Sequence, residues 1–579
     1  MKKTVAQGSG TPARGLLRWW QVFGIAAVAA LIAYLPSIDG AFLFDDKHLP
    51  FSDPRAGSMP ASFWVGGVRP VLMLSYWIDF LIAGNAPFFY HTTNILLHAA
   101  AATLVYFCAA ALLDNRNQSL GVSSERTQPL AFFVAVLFLL HPLQTESVAY
   151  IAGRSEVLSG VFALGAFAVF LDQRRGSPGL RPTLAILLLL GAAILTKEHA
   201  VAVAGAIVLT DLYLNGGDPV KMLRRSAIFY TCLAILCALG AAMAFQVISG
   251  AATAGFSVPG VTPLHYFLTE CRAIPGYLGL FIFPIRQNGD WNFAFSHSWL
   301  DHGAAIWGLA LAGGVIAVVA SRKLHPLAGY GLILFLGLLA PTSSFVPVID
   351  AFAERRMYLP IFGLLLATAG ILDHWKLAPA RIWTVSIVLA VIAGGLTFHR
   401  SAVWSSDLAF WGDVVAKSPQ NVRGHMGLGL ALLERGRCSE AVHENDLVAS
   451  LPQRPEADPM IKAEAMVNKA SALECLGQAD AAREALLAAV RLKPTSNIYN
   501  ELGILAGRAG QVGEALTDFT EAIRLNPRDA QSYALRGVAL KSTGDEAGAA
   551  RDLNAALAID PSNKIARENI AALTNENRN

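Results

Sequence analysis

Two adjacent carboxylates, Asp45 and Asp46, follow the first long apolar stretch of this 579-residue chain. Like charges side by side tend to raise one pKa, so the pair suits a general base or a cation site, although a plain solvated loop can carry the same two residues. Five cations recur beside later apolar stretches: Arg69, Arg154, Lys197, Arg355 and Arg356. Fixed cations suit an anionic lipid head group, most simply a phosphate, which Arg can bind in bidentate fashion. Glu156, Glu198 and Glu354 stand next to Arg154, Lys197 and Arg355, so each cation alone reads slightly better as a structural ion pair or a snorkelling side chain. The set as a whole favours phosphate handling.

A second group is less charged. His91, Asn94 and His98 fall at i, i+3 and i+7, one stripe of a helix. No further ligand follows from the spacing, so a hydrogen-bonded seam between helices is a better reading than a metal site. His141, Thr145 and Glu146 close the next apolar stretch, and their clustering suggests a polar cavity that opens to one side. The six cysteines, at 108, 232, 237, 271, 438 and 475, show no metal spacing. No metal or other cofactor is assigned, and divalent-metal dependence stays open.

These residues need a membrane to position them. The chain is 54% hydrophobic and 15% charged, against roughly 25% charged for soluble domains. Its 87 Asp, Glu, Lys and Arg divide into 45 in residues 1–400 and 42 in residues 401–579, so the first part reads as membrane and the second as water-soluble. A net charge of +3 excludes a nucleic-acid footprint. Eleven spans are expected near 17–37, 94–113, 129–141, 156–171, 182–196, 199–214, 226–248, 303–320, 325–345, 358–373 and 381–399. The first is long and followed by Leu-Pro-Ser-Ile-Asp-Gly, which predicts a retained helix and not a cleaved signal peptide. Residues 265–284 carry Glu270, Arg272 and Pro275, and are expected to be interfacial or re-entrant. With the N-terminus inside, 16 of the 26 basic residues of the first 400 face inward, among them Lys2-Lys3, Arg14, Arg174-Arg175 and Arg322-Lys323. The polar motifs and the soluble part then lie outside the cytoplasm.

The soluble part repeats itself every 33–34 residues over its last three units. Tyr499, Leu502, Gly503, Gly510, Ala515, Phe519, Ala522 and Pro527 make one unit, and Tyr533, Gly537, Gly544, Ala549, Leu553, Ala556 and Pro561 repeat it. Met466, Ala470, Gly477, Ala482, Leu486, Ala489 and Pro494 precede them. A longer first unit runs through Leu428, Gly429, Gly436 and Ala441, with an insertion around Leu451–Asp458. Small residues at fixed places let paired helices pack closely, which is the tetratricopeptide pattern, with about four repeats. Such solenoids present a concave surface to an extended peptide or a partner protein. Cys438 and Cys475 sit in neighbouring repeats, as a disulfide or as two separate buried thiols.

Taken in order, these strings resemble the transmembrane O-mannosyltransferases with tetratricopeptide repeats, a branch of the GT-C glycosyltransferases. The resemblance rests on Phe44-Asp45-Asp46, Arg69-Pro70, Tyr90-His91-x-x-Asn94-x-x-x-His98, the segment HPLQTESVAYIAGRSE at 141–156, Lys197-Glu198, ERRMYLP at 354–360, and Trp404 leading into the repeats. It implies an all-α fold, with a polytopic membrane domain over residues 1–400 and repeats over 401–579 on the extracytoplasmic side. It implies an inverting transfer of a sugar, mannose by default, from a polyprenyl- or dolichyl-phosphate carrier to Ser/Thr hydroxyls of proteins held by the repeats. Asp45 or Asp46 would be the base. Arg69, Arg154, Lys197 and Arg355 are the phosphate candidates, on the charge argument above more than on the family. His91, His98, His141, Glu146, Glu198 and Glu354 would line the cavity. The resemblance implies a plasma-membrane protein in a prokaryote or an endoplasmic-reticulum protein in a eukaryote, embedded in membrane lipids. A glycan, lipid or envelope polymer as acceptor is the alternative, as is a scaffold without catalysis. A transporter would place ionisable groups at mid-membrane, whereas these gather at one face.

Overall fold

A computed structural model describes residues 18–576 apart from 54, 121–124, 174–177, 216, 251–252, 257, 322–323 and 453–459. The basic residues Lys2, Lys3, Arg14, Arg174, Arg175, Arg322 and Lys323, and most of the insertion after Leu451, lie outside the described residues. The described residues form helices and connecting loops, with one isolated antiparallel bridge between Ala254 and Val348. Contacts divide the chain into two units, Met1–Asp413 and Val414–Asn579.

Among the described residues of the first unit, five helices are long and apolar enough to cross a membrane: Pro87–Asn115, Arg154–Asp172, Ala227–Ser249, Asp301–Ser321 and Pro379–Ser405. Two bent pairs, Thr127–Leu140 with Pro142–Ala149 and Glu198–Leu214 with Pro219–Arg225, would raise the number to seven. Five shorter apolar helices accompany them: Trp19–Ala33, Pro70–Ala83, Leu180–Thr196, Pro326–Leu339 and Pro360–His374. Each of the eleven expected stretches falls on one of these helices. Pro70–Ala83 is an addition, hidden from a search for long spans by its 14 residues. Residues 265–284 form one helix, Pro263–Ile282, capped by Thr262 and running through Pro275. Its charged residues have protein partners: Glu270 pairs with Arg356 at 3.2 Å, and Arg272 donates to the Ala294 carbonyl at 2.8 Å.

Proline sets where several elements begin. Pro70, Pro326, Pro360 and Pro379 each occupy the first turn of a helix, where a missing N–H costs nothing. Two of them belong to the motifs, so Arg69-Pro70 and ERRMYLP put their charged residues immediately before a helix. Glycine sets how closely two helices approach. A Cβ on Gly331 would lie 2.5 Å from the Gly363 carbonyl oxygen, and one on Gly363 would lie 2.5 Å from the Phe335 nitrogen. Helices Pro326–Leu339 and Pro360–His374 therefore touch backbone to backbone.

The second unit stacks helix pairs. Val422–Leu433 pairs with Cys438–Ser450, Met460–Cys475 with Ala479–Leu492, Ser496–Arg508 with Val512–Leu525, and Ala530–Ser542 with Glu546–Ile559; Lys564–Glu576 follows. Gly436, Gly477, Gly510 and Gly544 end the first helix of each pair with φ between 71° and 86°, a conformation that favours glycine. Gly503 and Gly537 leave room for Phe519 and Leu553 of their partner helices. A disulfide joins Cys438 to Cys475, linking the first two pairs.

Candidate active site

The acidic pair lies in a single 3-10 turn, Phe44–His48, and its two members face different surroundings. Asp46 is buried. Its carboxylate accepts the N–H of Leu43 at 3.0 Å and of Ala152 at 2.7 Å, and its main-chain carbonyl accepts the Ser52 hydroxyl at 2.8 Å. Burial, aided by the neighbouring Asp45 charge, pushes Asp46 up to about 8 in spite of the two backbone donors. Asp45 is exposed, and its carboxylate has no hydrogen-bond partner among the described residues. Its N–H donates to the Tyr150 hydroxyl at 2.9 Å. Phe44, just before the pair, holds the left-handed conformation with φ 49°, a strained choice for a residue that is not glycine. Its ring meets Trp411 edge-on at 5.7 Å. Tyr150 in turn stacks on Trp404 at 5.4 Å.

Segment 141–156 is the hub to which the other motifs attach. Asn94 donates to the carbonyls of Val148 (3.3 Å) and Tyr150 (3.2 Å), and accepts the Arg154 Nε–H at 2.7 Å. Glu146 accepts the main-chain N–H and the guanidinium of Arg355, at 2.9 and 2.5 Å. Lys197 donates to Ser155 at 3.0 Å and to Glu156 at 2.6 Å, while His199 reaches the other Glu156 oxygen at 3.1 Å. Glu198 points the other way and receives Arg69 through two nitrogens, at 2.7 and 3.1 Å.

The four candidate phosphate cations are therefore not equivalent. Arg154 is fully enclosed: it pairs with Asp79 at 2.6 Å, donates to the Tyr90 carbonyl at 2.9 Å, and lies 4.6 Å over the Tyr76 ring. This corrects the reading of Arg154 as a phosphate ligand, because its hydrogen-bonding edge is spent on the protein. Arg356 keeps only 7% of its side chain exposed and donates to Tyr266, Glu270, Thr342 and Ala351. Lys197 is only 13% exposed, whereas Arg69 and Arg355 keep 31% and 29% of their side chains open. Proximity to Glu146 and Asp350 holds Arg355 above the usual guanidinium range against the cost of its burial.

The histidine stripe forms a seam. His91 Nε2 faces the Gly40 carbonyl at 3.2 Å, and His98 lies between the Leu139 carbonyl and the Tyr358 hydroxyl, each at 3.0 Å. His141 accepts the Leu143 N–H at Nδ1, so its Nε2 carries the proton it donates to the Phe281 carbonyl at 3.0 Å. These three read as struts and not as cavity walls, since each is buried and bonded to backbone. Glu354 is buried too, accepting from Gln287 (2.6 Å), the Asn288 N–H (2.7 Å) and Trp291 (3.1 Å). Burial and the nearby Glu146 charge push it up to about 7. Among the described residues no three His, Cys, Asp or Glu side chains could hold a metal ion.

Three contributors escaped the sequence reading. Asp79 could have been found, as an ionisable residue within the apolar run VLMLSYWIDFLIA. The loop Gln287–Trp291 supplies the donors to Glu354 and had no sequence signal beyond its polarity. Tyr150 lay inside a motif without being singled out.

The fold defines an all-helical protein with several helices apolar enough to cross a membrane, followed by tetratricopeptide repeats. Family models described as tetratricopeptide repeat match residues 463–496 and 500–564. The chain is 23% identical over 442 residues to the Protein O-mannosyl-transferase F38B6.6 of Caenorhabditis elegans, covering 71% of this chain and 60% of the relative. It is 25% identical to the human Protein O-mannosyl-transferase TMTC1, covering 76% of this chain and 57% of the relative. With the human Protein O-mannosyl-transferase TMTC3 it shares 22% identity over 92% of this chain and 63% of that one. Its curated homologues are thus protein O-mannosyl-transferases of the TMTC family, and it spans about 57–63% of the length of these three.

Proposed function

We propose that this chain is a glycosyltransferase that moves a sugar, by preference mannose, from a polyprenyl-phosphate-type lipid carrier to hydroxyl groups of proteins on the extracytoplasmic side. The observation that carries the reading is the division of labour within the acidic pair. Asp45 is open, with no hydrogen-bond partner for its carboxylate among the described residues, and is the base; Asp46 is buried and ties the loop to Ala152 and Leu43. Asp45 accepts the proton of a Ser or Thr hydroxyl as that oxygen attacks the anomeric carbon. The bond from that carbon to the lipid phosphate breaks, the phosphate leaves with the electron pair, and the configuration inverts. Arg69 and Arg355, the two partly open cations, meet the developing phosphate charge in exchange for Glu198 and Glu146.

Two features support the orientation and the acceptor. A disulfide between Cys438 and Cys475 suits an oxidising compartment, which agrees with repeats outside the cytoplasm. Stacked helix pairs suit an extended polypeptide acceptor better than a small hydroxyl compound. The test is transfer of labelled sugar by the purified chain in detergent, from polyprenyl-phosphate-mannose and polyprenyl-phosphate-glucose, with source-membrane extract as acceptor. Label is expected in protein from the mannose donor and absent with Asp45→Asn. Full activity in Asp45→Asn would remove the catalytic assignment.

A further inference from the structure

The turn that bears the two carboxylates is held from outside at a point that neither carboxylate supplies. Asp45 has its side chain in the open, so only its backbone can fix where that carboxylate stands. That backbone is under strain on one side, with Phe44 in the left-handed region, and is bonded on the other, where the Asp45 N–H meets the Tyr150 hydroxyl at 2.9 Å. A strained conformation persists only when its surroundings hold it. Tyr150 is itself buried and held through its ring by the stack on Trp404, which is also buried. Trp404 packs on Phe410 at 4.8 Å, and its own segment bonds back to the start of the acidic loop, where the Ala41 N–H donates to the Ser405 carbonyl at 3.3 Å. The phenol also lies within electrostatic reach of both carboxylates and of Arg355.

We infer that Tyr150 is a positioning residue of this site: its hydroxyl, braced by the Trp404 stack, fixes the backbone of Asp45 so that the carboxylate points at the acceptor hydroxyl. The inference rests on the proposed transferase reading for its kinetic consequence, but the tether itself does not. Burial and the two neighbouring carboxylates hold the phenol far above its ordinary range, so it acts as a neutral hydroxyl and does not compete with Asp45 as a base. The bond is a neutral one to a backbone N–H, and its loss costs position more than folding.

The experiment compares the full chain with Tyr150→Phe, which keeps the ring and its stack and removes only the oxygen. Hydrogen–deuterium exchange over residues 41–49 and transfer kinetics are read on the same preparations in detergent. The expected result is faster exchange in that peptide by about tenfold, and a kcat about 10- to 100-fold lower with both KM values within about twofold of wild type, as misplacement of a reacting group predicts. The melting temperature falls by no more than about a few degrees. Trp404→Phe, which weakens the brace without touching the hydroxyl, gives a smaller change in the same direction. Unchanged exchange in Tyr150→Phe overturns the tether. Faster exchange with wild-type kcat overturns the positioning role. If the wild-type chain transfers no sugar from any donor while exchange still rises in Tyr150→Phe, the transferase reading fails and the tether stands.

Discussion

Arg154 and Asp79 meet at 2.6 Å with 0% and 8% of their side chains exposed, so one helix that begins at Arg154 is locked to another that begins at Pro70. A buried pair of this kind adds little over well-packed apolar residues, but removing one partner strands the other charge. Asp79→Ala is therefore expected to cost about 3–5 kcal/mol, seen as a large drop in melting temperature in detergent. The double change Asp79→Leu with Arg154→Met should recover much of it. An Asp79→Ala chain that melts like wild type would show that Arg154 is not a strut.

The Asp46 carboxyl makes a prediction about pH. Its folded value of about 8 stands above its ordinary 3.8, so its neutral form is favoured by folding. That contribution is complete below about pH 4, declines as pH rises and is gone above about 8. Wild-type melting temperature should fall between pH 5 and pH 9. Asp46→Asn loses one backbone hydrogen bond, at about 1–3 kcal/mol, and its melting temperature should fall less steeply than that of wild type over the same range, where Glu354, with a folded value of about 7, still contributes. Parallel pH curves for the two chains would rule out Asp46 as the source.

Arg69 and Glu198 give a test of the phosphate assignment. The pair is partly exposed, and such pairs contribute only about 0–1 kcal/mol to stability. Arg69→Ala should leave the melting temperature nearly untouched while raising the donor KM about tenfold or more. Glu198→Gln removes the competing carboxylate and should lower the donor KM. A donor KM that ignores both changes would place the phosphate elsewhere.

Reduction should act on the repeats alone. Cys438 and Cys475 are 37 residues apart, and closing a loop of that length restricts the unfolded chain by about 3–4 kcal/mol. Cys438→Ser with Cys475→Ser is expected to expose the 414–579 unit to protease at lower denaturant concentrations than wild type, with the first unit unaffected. Equal resistance of the two chains would mean that the crosslink contributes nothing.

What could be read in the sequence was what repeats or what is long. The repeat glycines at 436, 477, 510 and 544 announce their turns because a positive φ needs that residue. Long apolar runs announce their helices because the bilayer demands about 20 apolar residues. The short helix Pro70–Ala83 has neither property and was invisible. In the candidate site, the sequence pointed to strings that the fold brings together but could not sort their members. Arg154 and Arg69 look alike on paper; what separates them is Asp79 in one case and a partly open surface in the other. Asp45 and Asp46 are neighbours of one type, and only the N–H groups of Leu43 and Ala152 tell them apart. Those partners are distant in sequence or belong to the main chain, where residue type carries no signal.

The contact between Gly331 and Gly363 reaches beyond the two helices it joins. Glu354, Arg355 and Arg356 sit just ahead of Pro360, at the head of the helix whose flank carries Gly363. A single methyl group at 331 or 363 would act as a wedge, tilting that helix and carrying the arginines with it. The placement of Arg355 against Glu146 is thus calibrated by the absence of two side chains deep in the bundle. A change there would alter turnover while every residue of the site kept its identity.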